Sequence, residues 1–305
     1  MSAAAGSLVI VANPTAGDGK AGRSIGRVDT ILNDLGVDHE IRVSGSATEL
    51  EALAREAAEG GATTVAVLGG DGSVNLAVNG LFGSGSALAV LPAGTGDDFA
   101  KGIGAGKLDA ATRLLADPKT VDIDVIEVTA GAEVRRYVNI AGTGFDSAVE
   151  EVAAGMRRRL GARGHYALAT IRTLGRFVPA AFRVEMDGRS LDVDAMLIVI
   201  GNGMAYGGGM RVLPQASIID GELDVCIVAA MSKGAFLRAF PKVYVGKHAT
   251  HPKVTMLKGT ELKVEANRRM LVFADGERVG CLPAVFKVVP AALPVVVGRD
   301  ARAIR

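Results

Sequence analysis

The sequence predicts an α/β protein. An N-terminal domain with a parallel sheet is followed by a C-terminal all-β sandwich domain that carries a helical insertion. Three observations predict this. Short, wholly apolar runs alternate with helical stripes up to about residue 120, as βαβ units require. Beyond that point closely spaced strand-like runs take over, separated by Asp-Gly pairs, which are hairpin signals. The 40 glycines cluster just after the apolar runs of the first domain.

In chain order, residues 7–12 form a continuous apolar run, as in a strand covered on both faces. Residues 21–35 put Ile25, Val28, Ile31, Leu32 and Leu35 on one helical stripe. Residues 39–43 follow as a strand, and Leu50, Leu53, Ala54 and Ala57 mark a helix. Residues 64–68 and 87–91 are two further strands, with a short helix through Val74, Ala77, Val78 and Leu81 between them. In the second half, strands are expected at 121–128, 134–140, 181–187, 191–200, 222–229, 260–266, 270–274 and 285–289, interrupted by a basic helical stretch over 148–177. The domains are set at residues 1–125 and 126–289, with the tail 290–305 returning to the first.

Composition narrows the function. Lys+Arg 34 against Asp+Glu 33 gives a net charge of +1, and aromatics are 4% without a single Trp. Nucleic-acid binding by phosphate neutralisation or base stacking is therefore not expected. The N-terminus has no basic segment before a short apolar run, so it reads as a first strand rather than a leader. No stretch is long and unbroken enough to span a bilayer. Cys226 and Cys281 have no metal-type spacing and read as reduced thiols. These features lead to the expectation of a cytoplasmic protein, with contact at the inner membrane face left open.

Three glycine-rich loops follow strands of the first domain: Asn13 to Gly22, Gly69 to Asn75, and Leu91 to Ala100. Backbone N–H groups at such strand ends form anion sites, and in an open parallel sheet they converge. Three converging loops suit a polyphosphate. Gly17, Gly19 and Gly22 also satisfy G-x-G-x-x-G. However, Asn13 to Ala16 stand where a dinucleotide fold would place its first glycine directly after the strand. Lys20 is followed by Ala21, so the P-loop hydroxyl is missing too. Asp71, set between glycines at a phosphate site, calls for a metal ion or a donor hydroxyl.

Taken together, Asn13-Pro14-Thr15-Ala16-Gly17, Gly69 through Leu81, Leu91 through Lys101, Asn139 to Asp146, the stretch from Gly201 to Asp224, and Asp275-Gly276-Glu277 resemble the diacylglycerol kinase and sphingosine kinase type of lipid kinases. The resemblance covers most of the chain and implies an α/β nucleotide domain plus a β-sandwich that receives the lipid. It implies an ATP- and Mg²⁺-dependent transfer of the γ-phosphoryl group to a lipid hydroxyl, with diacylglycerol the first choice and phosphatidic acid the product. ATP is then held by Asn13, Pro14, Thr15, Ala16, Gly17, Ser44, Gly70, Asp71, Gly72, Ser73, Asn75, Thr95 and Asp98. Glu277 is the general base, with Asp275 beside it and Asp71 acting near the phosphates. A structural Mg²⁺ falls to Ser217, Asp220 and Glu222, with Asp124 linking it to the site.

Three positions depart from the family pattern. Leu76 stands for the usual Glu, Lys101 for the usual Arg, whose bidentate fork Lys lacks, and Asp97 for the usual Asn, which adds a negative charge beside a triphosphate. Two other readings stay open: a kinase of a soluble acceptor, as in the NAD-kinase-like proteins, and a catalytically weak protein that binds lipid or nucleotide. Arg157, Arg158, Arg159, Arg163, Arg172 and Arg176 interleave with apolar residues. They form either an element that meets anionic lipid or a helix with a solvated basic face. The oligomeric state is not fixed by the sequence, and a homodimer is compatible with it.

Overall fold

The computed structural model describes residues 7–155 and 161–304. The chain divides into two compact units. One comprises Met1–Val125, Ser217–Asp220 and Val289–Arg305; the other comprises Ile126–Ala216 and Gly221–Val288. Each is described by itself.

In the first unit, β1 (Leu8–Ala12), α1 (Ala16–Asp34), β2 (His39–Val43), α2 (Ala47–Glu59), β3 (Thr64–Gly69), α3 (Asp71–Leu81) and β4 (Ala87–Pro92) alternate as predicted, followed by α4 (Asp98–Gly102) and α5 (Leu108–Leu114). Strands β4, β3, β1 and β2 lie in that order, all parallel. Every residue of β1, β3 and β4 is buried, whereas the edge strand β2 is not buried at any position. Each fully buried Val, Leu or Ile contributes roughly 1.5–3 kcal/mol of transfer free energy. The predicted stripe of the first helix is present, with Val28, Ile31 and Leu32 buried. Its start differs: Gly17, Asp18 and Gly19 all have positive φ, so regular helix begins only at Lys20. Ser46 caps α2 by accepting from the Glu49 N–H at 3.1 Å, and Glu49 accepts from the Gly45 N–H in return at 2.6 Å.

In the second unit the sheet is antiparallel. β5 (Thr120–Ala130) ends there and pairs with β6 (Glu133–Tyr137). Then come β7 (Ile140–Gly144), α6 (Phe145–Gly155), α7 (Gly161–Arg176), β8 (Ala180–Met186), β9 (Arg189–Gly201) and β10 (Leu223–Ala229). They are followed by α8 (Lys233–Ala239), two 3₁₀ turns (Phe240–Val245 and Lys247–Thr250), β11 (Val254–Gly259), β12 (Glu261–Ala266), β13 (Leu271–Ala274), β14 (Glu277–Cys281) and β15 (Ala284–Val296). The long strand β9 changes partner along its length. Its first half pairs with β8, and its second half lies between β7 and β10. One apolar cluster, with Tyr137, Phe182 and Phe286, fills the sheet interior. A second, with Phe145, Leu213 and Phe236, lies under the helices. The far end of β15 belongs to the first unit, where Val295 pairs in parallel with Leu88 of β4.

Several local expectations are corrected. The run 134–140 is two strands, broken at Val138 and Asn139. β11, β14 and α8 were not foreseen. Of the basic stretch, Arg157, Arg158 and Arg159 lie outside the described residues, as does the side chain of Arg163. Arg172 and Arg176 are exposed on α7, which buries Ala169 and Leu174 against the second cluster. Among the described residues, no helix is long and apolar enough to cross a membrane.

Candidate active site

The strand order of the first unit fixes where its loops meet. From β1 the chain passes to β2 on one side and, after α2, to β3 on the other. The crevice at the carboxyl ends of β1 and β3 is therefore a topological switch point, where open α/β sheets bind ligands. The loops after β1 and β3 join there: Asn13 Nδ2 donates to Ser73 Oγ at 3.0 Å. Asn13 Oδ1 accepts from the Thr15 hydroxyl at 2.8 Å, so one Asn organises both loops. The loop after β4 closes the third side. The Ala93 N–H donates to Gly69 O at 2.8 Å, and a Cβ on Gly94 would lie 2.6 Å from Gly70 Cα. Gly17, at φ +60°, packs so close to the carbonyl oxygen of Ala93 that no side chain fits. Glycine at 17 and 94 is thus what lets three backbones approach one another.

Polar groups around this crevice have distinct fates. Ser73, Asn75 and Asp98 are buried, Thr15 and Thr95 are exposed, and Pro14, Ala16 and Gly72 are partly covered. Ser44 is buried and gives both its N–H and its hydroxyl to Ala12 O, at 2.9 and 3.1 Å, so it secures the end of β1. Asp71 opens α3 and accepts from the Phe99 N–H at 3.4 Å. Burial, reinforced by the charge of Asp98, pushes its carboxyl up to about 6.

Asp97 has the left-handed conformation, φ 52°, at the start of α4, and its Oδ1 accepts from the Gly94 N–H at 2.9 Å. Left-handed backbone with a local acceptor suits Asn and Asp alike, which accounts for the departure at this position. Burial raises the pKa of Asp97, while Lys20 and Lys101 pull it down. Lys101 Nζ also sits 3.5 Å from Asp98 Oδ1. The added negative charge is therefore answered by two lysines. Carboxylate oxygen is the donor that suits a hard divalent cation such as Mg²⁺, but among the described residues these three acids do not group as a metal site, so an ion at Asp71 would need phosphate oxygens to complete its shell.

In the second unit, Asp275 and Gly276 form the two-residue turn between β13 and β14, at φ +49° and +84°, as type I′ hairpins require. The Asp275 carboxylate accepts three backbone N–H groups, those of Val138, Asn139 and Ile140, at 3.2, 3.4 and 2.8 Å. It holds the break between β6 and β7. Glu277, the next residue after the turn, is exposed. The surrounding chain still desolvates its carboxyl enough to raise its pKa, against an opposing pull from Arg135.

The residues expected to hold a structural cation are divided. Asp124 is buried; its N–H donates to Ile218 O at 2.7 Å, and its Oδ1 accepts from the Ala291 N–H at 2.9 Å. Ser217 is buried in the same unit, with its Oγ accepting from the Ile219 N–H at 3.4 Å, and Asp220 is exposed. Glu222 belongs to the other unit, where Lys258 sits 3.4 Å from its carboxylate. Among the described residues, no three or more His, Cys, Asp or Glu side chains group to hold a metal ion. A cation here would depend on Asp220 and on backbone and hydroxyl oxygens.

An apolar cavity that sequence reading missed lies inside the second unit. Phe145 of α6, Leu197 of β9, Phe236 of α8 and Phe240 of the following turn line it. Asp146, Tyr206 and His248 are its ionisable members. His248 is buried and donates from Nε2 to Val212 O at 2.9 Å; burial lowers its pKa and so favours the neutral imidazole. The signal was present in the apolar content of 225–245, but only the packing of α8 turns it into a cavity.

Comparison with known proteins agrees with this architecture. Residues 7–128 match the diacylglycerol kinase catalytic domain, and residues 139–297 match the YegS C-terminal NAD kinase beta sandwich-like domain. A diacylglycerol kinase of Mycobacterium tuberculosis is 34% identical over 95% of this chain and 94% of its own. A diacylglycerol kinase of Bacillus subtilis is 27% identical over 91% of each chain. A crystal structure of a candidate diacylglycerol kinase from Bacillus anthracis superposes with a TM-score of 0.81 at 24% identity, covering 97% of this chain and 96% of that one, which shows the same fold. The chain therefore belongs to the diacylglycerol kinase family, kinases that use ATP and act on lipids.

Proposed function

We propose that this protein transfers the γ-phosphoryl group of ATP to the hydroxyl of diacylglycerol, giving phosphatidic acid. The observation that carries this reading is the meeting of three strand-end loops at Asn13, Ser73 and Gly94, with Asp71 beside them. Backbone N–H groups and the N-terminus of α3 suit the phosphates, and the exposed hydroxyl of Thr95 suits them too. The choice of diacylglycerol follows the relatives from Mycobacterium tuberculosis and Bacillus subtilis. The apolar cavity favours an acyl-bearing acceptor over a soluble one such as NAD.

Phosphoryl transfer is mainly positioning and charge stabilisation. Asp71 would hold Mg²⁺ together with the phosphates of the nucleotide, and the ion would there neutralise charge that develops on them. Lys20 and Lys101 balance the extra acid at Asp97. Glu277 accepts the proton of the lipid hydroxyl as its oxygen attacks phosphorus, a role suited to a carboxylate of raised pKa. Asp275 positions that hairpin rather than touching the reacting atoms. Ser217 and Asp220, with Asp124 in the same unit, are the candidate residues for a second, structural Mg²⁺, whereas Glu222 pairs with Lys258 in the other.

The test is a labelled-ATP assay against diacylglycerol, other lipid alcohols and NAD. Label in phosphatidic acid supports the reading. Label in NADP, or nucleotide binding with no transfer to any acceptor, would replace it by one of the other two.

A further inference from the structure

Residues 225–260 contain no Asp or Glu, yet hold five lysines and one arginine. A neutral chain thus concentrates positive charge in one segment. Lys258 is held by Glu222 and Asp224. Lys233 donates to Gly175 O at 2.6 Å, which ties α8 to the end of α7, where Arg172 and Arg176 are exposed. Arg238, Lys242, Lys247 and Lys253 are exposed.

The same segment exposes large apolar side chains: Leu237 at 54%, Tyr244 at 48% and Val245 at 61%. These stand within α8 and the first 3₁₀ turn, interleaved with the cations. A surface of this kind, with apolar tips among positive charges and no acid in the same segment, suits the interface of an anionic bilayer. The apolar path also continues inward. Tyr244 meets Phe240 edge-on, with centroids 6.3 Å apart; Phe240 and Phe236 are 6.1 Å apart; and Phe236 and Phe145 are 5.2 Å apart. Phe240, Phe236 and Phe145 line the cavity. A ladder of aromatic rings therefore links the exposed patch to the apolar interior of the second unit.

We propose that α8 and the two 3₁₀ turns, Lys233–Thr250, form a docking face for an anionic lipid bilayer. The cations hold the headgroups, Leu237, Tyr244 and Val245 enter the interfacial layer, and the ring ladder leads acyl chains into the cavity. This deepens the lipid-kinase reading and rests on it for the passage of substrate, while docking itself is read without turnover.

The experiment is co-sedimentation of the full chain with vesicles of phosphatidylcholine alone, or of phosphatidylcholine containing phosphatidylglycerol. Transfer to a short-chain, water-dispersed diacylglycerol is followed in parallel. The wild type should bind the anionic vesicles, release at high salt and ignore the neutral ones. The variant Arg238→Glu/Lys242→Glu/Lys247→Glu should bind about 100-fold more weakly or worse, given the contribution of each basic residue near a charged surface. Leu237→Ser/Val245→Ser should bind about tenfold more weakly, with the residual binding keeping its salt sensitivity. Both should keep short-chain transfer within about twofold of wild type, which shows that they fold.

Wild-type binding by both variants would overturn the proposal and direct attention to α7. Absence of wild-type binding, or binding to nucleic acid instead, would also overturn it. Docking without transfer to any lipid would leave the surface standing and remove the kinase reading.

Discussion

The backbone N–H of Ile140 donates to Asp275 Oδ1 at 2.8 Å, across 135 residues of sequence. The same carboxylate accepts from Val138 and Asn139, so one side chain locks the β13–β14 turn onto the start of β7. Asp275→Asn keeps the size but replaces an acceptor oxygen with a donor that faces N–H groups. We expect a loss of about 1–3 kcal/mol in stability, read as a lower Tm. Because Glu277 is set by this turn, kcat should fall while KM for ATP stays near wild type. An unchanged Tm would remove the clamp from the account.

The role proposed for Asp71 comes with a cost in stability. Its carboxyl ionises near 3.8 in an unfolded chain and near 6 in the fold, so the folded state binds that proton more tightly. Stability from this group is greatest at low pH and declines as pH rises from about 4 to about 6. Above that, the buried charge carries a penalty on the order of 2–3 kcal/mol. Asp71→Asn should therefore raise Tm at pH 8, have little effect on it near pH 4, and abolish transfer. Thermal unfolding at both pH values, beside an activity assay, checks all three.

The fold was legible where burial is uniform. The fully buried β1, β3 and β4 announce themselves as apolar runs, and the Asp187-Gly188 and Asp275-Gly276 turns as pairs that tolerate positive φ. β7 was not legible, because Ile140-Ala141-Gly142-Thr143-Gly144 looks like a loop and becomes a strand only by pairing with β9 and β13. β11 was hidden for a related reason: its residues are half exposed and Lys258 interrupts them. The glycine loops were visible as motifs, but the bond between Asn13 and Ser73 depends on strand order. Asp275 read as an acid beside the base, and its work as a backbone clamp could not be seen without the break at Val138.

Gly94 tests the loop packing. An added Cβ would sit 2.6 Å from both Gly70 Cα and Asp97 Oδ1, so the third loop must shift away from the second. Gly94→Ala should weaken ATP binding by about tenfold or more, a loss of roughly 1.4 kcal/mol or greater. Its Tm should change less than that of a core truncation. Calorimetric titration with ATP measures the effect.

Asp97→Asn offers the opposite sign. Asn keeps the left-handed backbone and the acceptor for the Gly94 N–H, and it removes one negative charge beside the phosphates. ATP affinity should rise by about threefold to tenfold, most clearly at low salt. Asp97→Leu, which loses the acceptor, should bind less well than wild type.

The measurement that bears most directly on the central claim is single-turnover transfer from ATP to dispersed diacylglycerol by Glu277→Gln, with ATP affinity determined on the same sample. If Glu277 takes the proton of the lipid hydroxyl, transfer falls by about 10²- to 10⁴-fold while the Kd for ATP stays within about twofold of wild type. Transfer at the wild-type rate would contradict the account and place the base elsewhere.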